Sequence, residues 1–368
     1  MNQSWIIFIA AIACISMAIY WFLYTKKRAT ACHIHTPNGI DEGEYVTIGG
    51  IQQFLYHRGE DKDHPILLFL HGGPGSPMLP FVQDFQFPWE DKVTVVHWEQ
   101  RNSGKTFFAN DPQKVTPTTT VEQALQDTYE VVSYLQKKYN KERILLLGHS
   151  WGSILGSLFT MQYPQMVQAY IGVGQVVNMF ENERIGYEKA LECSRQVKNQ
   201  KDISTLQALS PYPEHHFSDA MVKKLIKLRK LQGKYKLAMQ PSFQLVMSVL
   251  CSPFYSFKDI KYMLMSDVLE IKQRAILEFL FKSYNLNMVT SDYQVPVFYI
   301  HGEDDWQTPY SLARTYFDQL KAPMKQFYSI PNAGHVTMLD QKELFNEALF
   351  DIIDQIKINY QSHSIITP

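Results

Sequence analysis

Short apolar runs alternate along the chain with longer amphipathic stretches. Four runs of strand length, each free of Asp, Glu, Lys and Arg, lie at Pro65–Leu70, Val93–Trp98, Ile144–Leu147 and Val297–Ile300. Continuous runs of this kind are typical of strands that a parallel sheet buries on both faces. Apolar residues at three- and four-residue spacing predict helices over Thr120–Tyr139, from Ser150 to about Tyr163, from about Tyr310, and from about Gln341 to Tyr360. The alternation predicts an α/β fold with a mainly parallel sheet and helices on both faces.

Two segments depart from this alternation. Residues 44–59, EYVTIGGIQQFLYHRG, predict two strands joined at Gly49 and Gly50, which is a hairpin pattern. Between Gly174 and about Ser291 the strand-like runs disappear, and stretches rich in Glu, Lys, Leu and Met replace them. We therefore predict an α/β core over residues 44–174 and 292–360, with a helical cap inserted over residues 175–291.

One stretch of the predicted cap is basic and amphipathic. In residues 221–236, MVKKLIKLRKLQGKYK, Met221, Leu225 and Leu228 oppose a row of lysines. Such a helix can contact anionic lipid headgroups. The commoner origin of the pattern is a solvated helix with its charges in water, and we favour that interpretation.

The N-terminus carries a long uncharged segment. Trp5–Tyr24 is twenty residues without a charge, and a helix of that length spans a hydrocarbon core of about 30 Å. A cleaved signal peptide is the alternative, with Ala29–Ala31 as the cleavage site, but the leading MNQS has no basic side chain. We predict an uncleaved, single-pass transmembrane helix that anchors the protein in the membrane. The cations Lys26, Lys27 and Arg28 predict that the C-terminal bulk of the chain faces the cytoplasm.

Charge and composition exclude several classes of function. The 35 basic and 36 acidic residues nearly cancel, so nothing draws the chain as a whole to nucleic acid, and no nucleic-acid partner is predicted. The four cysteines follow neither a metal-ligand spacing nor a paired framework. No HExxH motif or Cys/His cluster is present, so we predict neither a metal nor a cofactor.

The pentapeptide Gly148–Gly152, GHSWG, offers a candidate nucleophile in Ser150. It follows an apolar strand and opens a helix, the setting in which a sharp turn projects a serine above the sheet edge. Residues two before and two after that serine must be small, and both are glycine. On the pentapeptide alone, an ordinary helix N-cap explains Ser150 equally well.

A glycine loop precedes the pentapeptide in the chain. Residues 69–77, FLHGGPGSP, follow another apolar strand, and their glycines allow bare backbone to approach a substrate. A backbone N–H of this loop can join that of Trp151 as an oxyanion hole. A phosphate loop is excluded because no GxxxxGK[ST] is present.

A base and an acid follow in the required order of Ser, Asp or Glu, and His. Asp304 and Asp305 lie in the loop after the strand at 297–300, the second of them 155 residues beyond Ser150. His335 lies 30 residues further on, after a later strand. Since functional groups of an α/β sheet gather in loops after strands, these residues complete a candidate catalytic triad.

Together these motifs resemble the proline iminopeptidase-like group of α/β-hydrolase-fold proteins. The matching pieces are HGGPG, EQRNSGKT, GHSWGS, HGEDD and AGH, within about residues 45 to 360. The resemblance implies Ser150 as nucleophile and His335 as general base and then acid. It implies Asp305 as the carboxylate because the acid of the family stands three residues after the loop glycine, here Gly302. The implied oxyanion donors are the N–H groups of Gly73 and Trp151.

Two motifs depart from the pattern of the family. Its loop commonly reads DQRGxGxS, where this chain has Glu99 for Asp and Asn102 for Gly. Asn tolerates positive φ better than most residues, so we expect the loop to keep its shape. Many proline iminopeptidases have GGSWGS where this chain has His149. Both departures bear on proline specificity more than on catalysis.

We therefore predict a serine hydrolase that acts through an acyl-enzyme on a small peptide or another small acyl substrate. The resemblance implies an aminopeptidase. In such an enzyme, carboxylates of the cap would bind the free amine of the substrate. Glu181, Glu183 and Glu188 are the candidates, with Glu183 preferred, although exposed helix charges would look the same. The alternatives are a carboxylic-ester or lipid-amide hydrolase, and a non-catalytic binding protein of the same fold.

Overall fold

The computed structural model describes residues 32–364 apart from 215, 240, 241, 266–271 and 290, together with 12, 16, 19–21, 23, 26 and 27. Most of the predicted anchor, Trp5–Tyr24, therefore lies outside the described residues. Within the part of the chain that is described, no helix is both long enough and apolar enough to cross a membrane.

A mainly parallel sheet forms the centre of the protein. The described residues build eight strands: β1 Ile40–Ile48, β2 Ile51–Gly59, β3 Ile66–Leu70, β4 Thr94–Glu99, β5 Ile144–His149, β6 Val167–Val173, β7 Val297–Gly302 and β8 Lys325–Ile330. Their order across the sheet is β1-β2-β4-β3-β5-β6-β7-β8. The pairs β1–β2 and β2–β4 are antiparallel and every other pair is parallel. The predicted α/β class and the hairpin, in which Ile48 pairs with Ile51, are confirmed.

Helices connect the strands and cover both faces of the sheet. They are α1 Val82–Phe85, α2 Gly104–Ala109, α3 Pro112–Val115, α4 Val121–Tyr139, α5 Trp151–Gln162, α6 Met179–Gln196, α7 Gln200–Gln207, α8 Asp219–Lys234, α9 Phe243–Leu250, α10 Phe257–Met263, α11 Arg274–Lys282, α12 Tyr310–Gln319, α13 Thr337–Asp340 and α14 Lys342–Ser364. Short 3-10 turns lie at Leu79–Phe81, Phe87–Trp89, Thr116–Thr118, Pro164–Met166 and Leu286–Met288. The four helices predicted from periodicity correspond to α4, α5, α12 and α14.

Residues of the central strands alternate between two apolar layers. Leu68 and Leu70 of β3 pack in one layer, whereas Leu67 and Phe69 pack in the other. All four side chains are fully buried. The unbroken apolar run of this strand therefore reflects burial on both faces of a sheet that helices cover.

The strand β6 lacks the unbroken apolar run from which the other central strands are predicted. The strand β6, VQAYIGV, contains Gln168 and Gly172, so its apolar run is interrupted. Its pairing with β5 and β7 places it in the centre of the sheet, where Tyr170 and Ile171 are fully buried. Tertiary position, more than local pattern, determines this strand.

The segment predicted as a cap runs between β6 and β7, and its described residues form helices and turns. Part of it has an apolar core of its own, to which Met221 and Leu228 of α8 contribute. Because those side chains are fully buried, the apolar face of this basic helix points into the cap, as the solvated-helix interpretation expects. By contrast, Val249 of α9 and Ile260 of α10 pack in the second apolar layer of the sheet.

Candidate active site

Ser150 stands at a sharp turn between β5 and α5. Its backbone has an unusual positive φ of 55° with ψ of −120°, and its backbone N–H donates to Val173 O at 3.0 Å. Ser150 occupies the N-cap position of α5, yet its side chain makes no capping hydrogen bond. The hydroxyl is therefore available for other contacts, which decides against an ordinary N-cap.

The turn requires both flanking glycines. A Cβ atom at Gly152 would lie 1.9 Å from Leu70 O, and one at Gly148 would lie 2.3 Å from Gly152 O. Both distances are far below van der Waals contact, and both contacts are with backbone, which cannot move aside. Close approach of α5 to β3 thus explains Gly152, and close approach of the start of α5 to β5 explains Gly148.

The structure brings Ser150, His335 and Asp305 together from three separate loops. Ser150 Oγ lies 3.0 Å from His335 Nε2, and His335 Nδ1 lies 2.9 Å from Asp305 Oδ2. These are hydrogen-bond distances, and the three groups form a continuous relay. The neighbouring Asp304 is exposed, so the structure distinguishes between the two aspartates in favour of Asp305.

Asp305 is a buried carboxylate held by three further hydrogen bonds. Oδ1 accepts the backbone N–H groups of Gln307 and Thr308, both at 2.9 Å, and Oδ2 accepts the Thr308 hydroxyl at 2.6 Å. Burial would raise the pKa of Asp305, but His335, His301 and the Thr308 hydroxyl outweigh burial and hold it well below its usual range. Asp305 is therefore ionised at neutral pH and accepts the Nδ1–H of His335.

Thr308 is a positioning residue that the sequence analysis missed. A hydroxyl residue three positions after an aspartate is a common local side-chain-to-backbone motif, so the pattern DDWQT contained the signal. The signal was weak because such motifs also occur in ordinary turns.

The histidines of the three motif loops are buried and bonded to backbone. His71 Nδ1 donates to Gly72 O at 2.9 Å, His149 Nε2 to His335 O at 2.8 Å and His301 Nε2 to Thr308 O at 2.8 Å. Burial lowers the pKa of His71 to about 4 and that of His149 to about 3, and it lowers that of His301. All three are therefore neutral near pH 7 and hold the loops together through hydrogen bonds to backbone.

In the loop after β4, Asn102 stands where the family pattern has Gly. Asn102 has φ of 56°, which is the left-handed conformation expected for it. Its carbonyl O lies 2.9 Å from Tyr262 Oη, which also lies 2.8 Å from Gly75 O of the glycine loop. Tyr262 is buried and belongs to α10, so this helix is tied to both loops beside the active site.

Glu99 is buried at the end of β4 with an elevated pKa. It accepts a hydrogen bond from Tyr255 Oη at 2.6 Å and another from the backbone N–H of Lys105. Burial raises the pKa of Glu99 to about 7, against the lowering effect of those two donors. The carboxyl group therefore titrates near neutral pH.

A cavity of about 450 Å³ opens beside Ser150 and His335. Gly73 and Trp151, the predicted oxyanion donors, also line it. Its other walls are mostly apolar side chains of the core and cap: Ile154, Val176, Met179, Leu225, Ile226, Met239, Leu277 and Leu280. The cations Arg229 and Lys230 line it too, whereas no described Asp or Glu does. The described residues also contain no group of three or more His, Cys, Asp or Glu that could hold a metal ion.

The cap glutamates are placed differently from one another. Glu183 is fully buried, forms an ion pair with Arg229 and accepts a hydrogen bond from Tyr212 Oη. Its carboxylate thus lies behind the Arg229 side chain that lines the cavity. Glu181 and Glu188 instead pair with Arg184 on the surface of α6, as ordinary helix charges do. Arg229 is a second cavity residue that the sequence analysis missed, since nothing local distinguishes it from neighbouring lysines.

Comparison with known proteins agrees with this geometry. Residues 65–342 match the α/β hydrolase fold family, so the chain belongs to that family. Its relatives place it in the proline iminopeptidase-like group.

Two relatives extend over most of this chain. The probable aminopeptidase YbaC of Bacillus subtilis is 28% identical over 311 residues, which are 83% of this chain and 93% of that protein. The proline iminopeptidase of Lactobacillus helveticus is 23% identical and covers 82% of this chain and 94% of its own length. A solved structure, a proline iminopeptidase-related protein of Thermus thermophilus, has a TM-score of 0.60 at 20% identity, covering 86% of this chain and 98% of that one. This last likeness shows the shared fold.

Glu99 makes stability depend on pH in a defined direction. The pKa of Glu99 is higher in the folded protein than the ordinary 4.5. Its contribution to the stability of the folded state is therefore present at low pH and is lost as pH rises through about 7. In Glu99→Gln that loss should disappear. Between about pH 5 and pH 8, the fall in the free energy of unfolding should be about 2 to 3 kcal/mol smaller in Glu99→Gln than in the wild type. Urea denaturation measures it. The exposed Glu303→Gln serves as control, and equal pH slopes in all three proteins would contradict the assignment.

Proposed function

We propose that the protein is a serine hydrolase that transfers an acyl group to water through Ser150. The observation that carries the proposal is the relay from Ser150 Oγ to His335 Nε2 at 3.0 Å and from His335 Nδ1 to Asp305 Oδ2 at 2.9 Å. His335 is almost fully buried and lines the same cavity as Ser150, so a bound substrate would meet both groups. Membership of the α/β hydrolase fold family supports the same class of chemistry.

The reaction proceeds in two halves. Ser150 Oγ attacks the substrate carbonyl carbon while its proton passes to His335 Nε2, and the ionised Asp305 stabilises the resulting imidazolium. When the C–N or C–O bond breaks, His335 returns that proton to the leaving group and an acyl-serine remains. Water then attacks the acyl-serine, giving one proton to His335, and that proton restores the Ser150 hydroxyl.

Backbone N–H groups of Gly73 and Trp151 stabilise the oxyanion in this proposal. Both residues line the cavity beside Ser150, and Trp151 is the first residue of α5. The first N–H groups of a helix have no partner within the helix and point along its dipole, so they favour a negative charge there. The indole Nε1 of Trp151 donates to Gln100 Oε1 at 2.9 Å. This hydrogen bond holds the start of α5 against the loop after β4.

Substitution of the triad tests the chemistry. Ser150→Ala should reduce kcat to less than about one part in a thousand, because the nucleophile is lost while the cavity remains. Asp305→Asn should reduce kcat by about 10⁴-fold, since an amide stabilises the wrong tautomer of His335. The exposed Asp304→Asn is the matched control and should retain wild-type kcat. Wild-type turnover in Ser150→Ala would disprove the mechanism.

For the substrate, the names of the relatives favour an aminopeptidase that releases an N-terminal residue. YbaC is described as a probable aminopeptidase, and the Lactobacillus helveticus relative as a proline iminopeptidase. In this chain Glu183 remains the predicted receptor for the substrate amine. In the free protein the Arg229 guanidinium forms an ion pair with that carboxylate. An incoming ammonium group would therefore have to displace Arg229.

The second candidate is a carboxylic-ester or lipid-amide hydrolase, and the lining of the cavity favours it. Among the described residues the lining is apolar apart from the catalytic groups, Gln307, Thr308 and two cations, Arg229 and Lys230. A protonated amine would find no described carboxylate on these walls, whereas a hydrocarbon acyl chain would be desolvated. A cation near the cavity also suits an acyl group that carries a negative charge.

Substrates and one matched pair of variants distinguish these candidates. An aminopeptidase should cleave prolyl-arylamide, should lose activity at least tenfold on its N-acetyl derivative, and should show a KM raised by about tenfold or more in Glu183→Gln. Glu188→Gln, on the surface of the same helix, is the control. An ester hydrolase should cleave nitrophenyl esters of intermediate length and be insensitive to a blocked amine. Steady-state kinetics on the three substrates decides between them, and turnover of none would leave only the non-catalytic class.

We further propose that the apolar segment Trp5–Tyr24 anchors the protein, with the catalytic domain on the cytoplasmic side. The support is its length, its lack of charge and the cations at Lys26, Lys27 and Arg28. The full chain should remain with membranes in alkaline carbonate and be released by detergent. Protease added to the cytoplasmic face of sealed vesicles should digest the catalytic domain. Recovery in the carbonate supernatant would contradict the anchor, and protection from that protease would contradict the orientation.

A further inference from the structure

An exposed apolar face lies on the two helices that follow the cap core. In α9, Phe243, Val246 and Met247 recur at three- and four-residue spacing on one side, and Phe243 is 84% exposed. In α10 and the residue after it, Phe257 and Leu264 are seven positions apart, and Leu264 is 80% exposed. Large apolar side chains gathered on one surface are unusual on a soluble protein and mark a site of association. We call these five residues the α9–α10 face.

The N-terminal segment reaches this face. Trp21 Nε1 donates to Leu250 O at 2.9 Å, at the end of α9, and the Trp21 ring lies 4.3 Å from that of Phe257 at the start of α10. Trp21 therefore contacts both helices, at the end of α9 and at the start of α10. Trp21 also belongs to the uncharged run Trp5–Tyr24.

Basic residues accompany the apolar ones. Lys258 and Lys261 of α10 are exposed beside Phe257 and Leu264. The acidic residue of this helix, Asp259, is buried and pairs with Lys105, so its charge is compensated. Lysines next to exposed aromatic and aliphatic side chains are typical of surfaces that rest on an anionic bilayer.

We propose that the α9–α10 face docks on the surface of a lipid bilayer that contains anionic lipids. Phe243, Met247, Phe257 and Leu264 enter the boundary between headgroups and acyl chains, and the two lysines contact lipid phosphates. An anchor alone would tether the domain in any orientation, whereas this face defines one. It is a second contact with the membrane, separate from the segment Trp5–Tyr24.

Docking would place the mouth of the cavity near the bilayer. Met239 lines the cavity, is about half exposed, and precedes Phe243 by four positions. An amphiphilic acyl substrate could then pass from the membrane into the apolar cavity without crossing water. This consequence rests on the proposed hydrolase function, whereas the docking does not.

A probe at Phe243 in the full chain tests the docking directly. The chain carries Phe243→Cys with Cys14, Cys32 and Cys193 replaced by serine, is labelled with nitrobenzoxadiazole, and is reconstituted in phosphatidylcholine vesicles with about one quarter phosphatidylglycerol. The same label at Met288→Cys is the matched control. Met288 is also exposed, but it belongs to the 3-10 turn of Leu286, which packs in the apolar layer on the other side of the sheet.

Quenching by spin-labelled lipid is the readout. The probe at position 243 should be quenched at least about threefold more strongly than the probe at position 288. Equal quenching at the two positions would overturn the proposal. Emission typical of an apolar environment without lipid quenching would overturn it as well, because the face would then be covered by protein, either the N-terminal segment or a second copy of the chain.

Charge reversal tests the lipid contact separately. Lys258→Glu combined with Lys261→Glu should lower the quenching at position 243 about threefold in the anionic vesicles. Hydrolysis of a water-soluble nitrophenyl ester should stay within about twofold of wild type, which shows that the variant is folded. Unchanged quenching would overturn the role of the lysines. Because quenching needs no turnover, failure of the docking and failure of the hydrolase proposal are separable.

Discussion

The close approach of α5 to β3 at Gly152 is the constraint on which the site depends. A side chain there would meet Leu70 O at 1.9 Å, so the helix can begin directly above the sheet only because that atom is missing. Ser150, at the turn into this helix, has a positive φ of 55°, and its hydroxyl makes no capping hydrogen bond to the helix. Once the serine is fixed above the carboxyl ends of the strands, the loops after β7 and β8 need only meet it there, and they bring Asp305 and His335 to hydrogen-bond distance.

Much of this arrangement could be predicted because it follows from local rules. Unbroken apolar runs identified β3, β4, β5 and β7, and the left-handed conformation of Asn102 followed from the tolerance of its side chain. Thr308 and the pairing of Glu183 with Arg229 could not be predicted in the same way. The ion pair joins residues 46 positions apart. The sequence contains many other charged residues in similar local surroundings, so nothing local indicates which two of them pair. The strand β6 was missed because Gln168 and Gly172 interrupt it, and its position between two other strands compensates for that weak pattern.

The cap changes what the core alone would imply. The core supplies the linked side chains of Ser150, His335 and Asp305, and the chemistry proposed for them suits amides and esters equally. Selectivity therefore depends on the walls of the cavity, where apolar cap residues meet Arg229. Glu183 holds that guanidinium from behind, and Tyr212 shares the buried carboxylate, so neither charge is left unpaired. Glu183, Arg229 and Tyr212 thus stabilise the interior of the cap, and they also determine the charge that faces the cavity.

Tyr262 connects parts of the protein that are remote in sequence. Its hydroxyl is shared between Gly75 O of the glycine loop and Asn102 O of the loop after β4, while its helix carries the exposed Phe257. The three segments are therefore structurally coupled through one side chain. An insertion in either loop would leave a buried hydroxyl without a partner unless α10 shifted with it, and a shift of α10 would tilt the outer surface. Changes to that surface that move α10 would therefore disturb the loops beside Ser150. Engineers who exchange the cap between relatives should accordingly transfer Tyr262 and the two loops as one block.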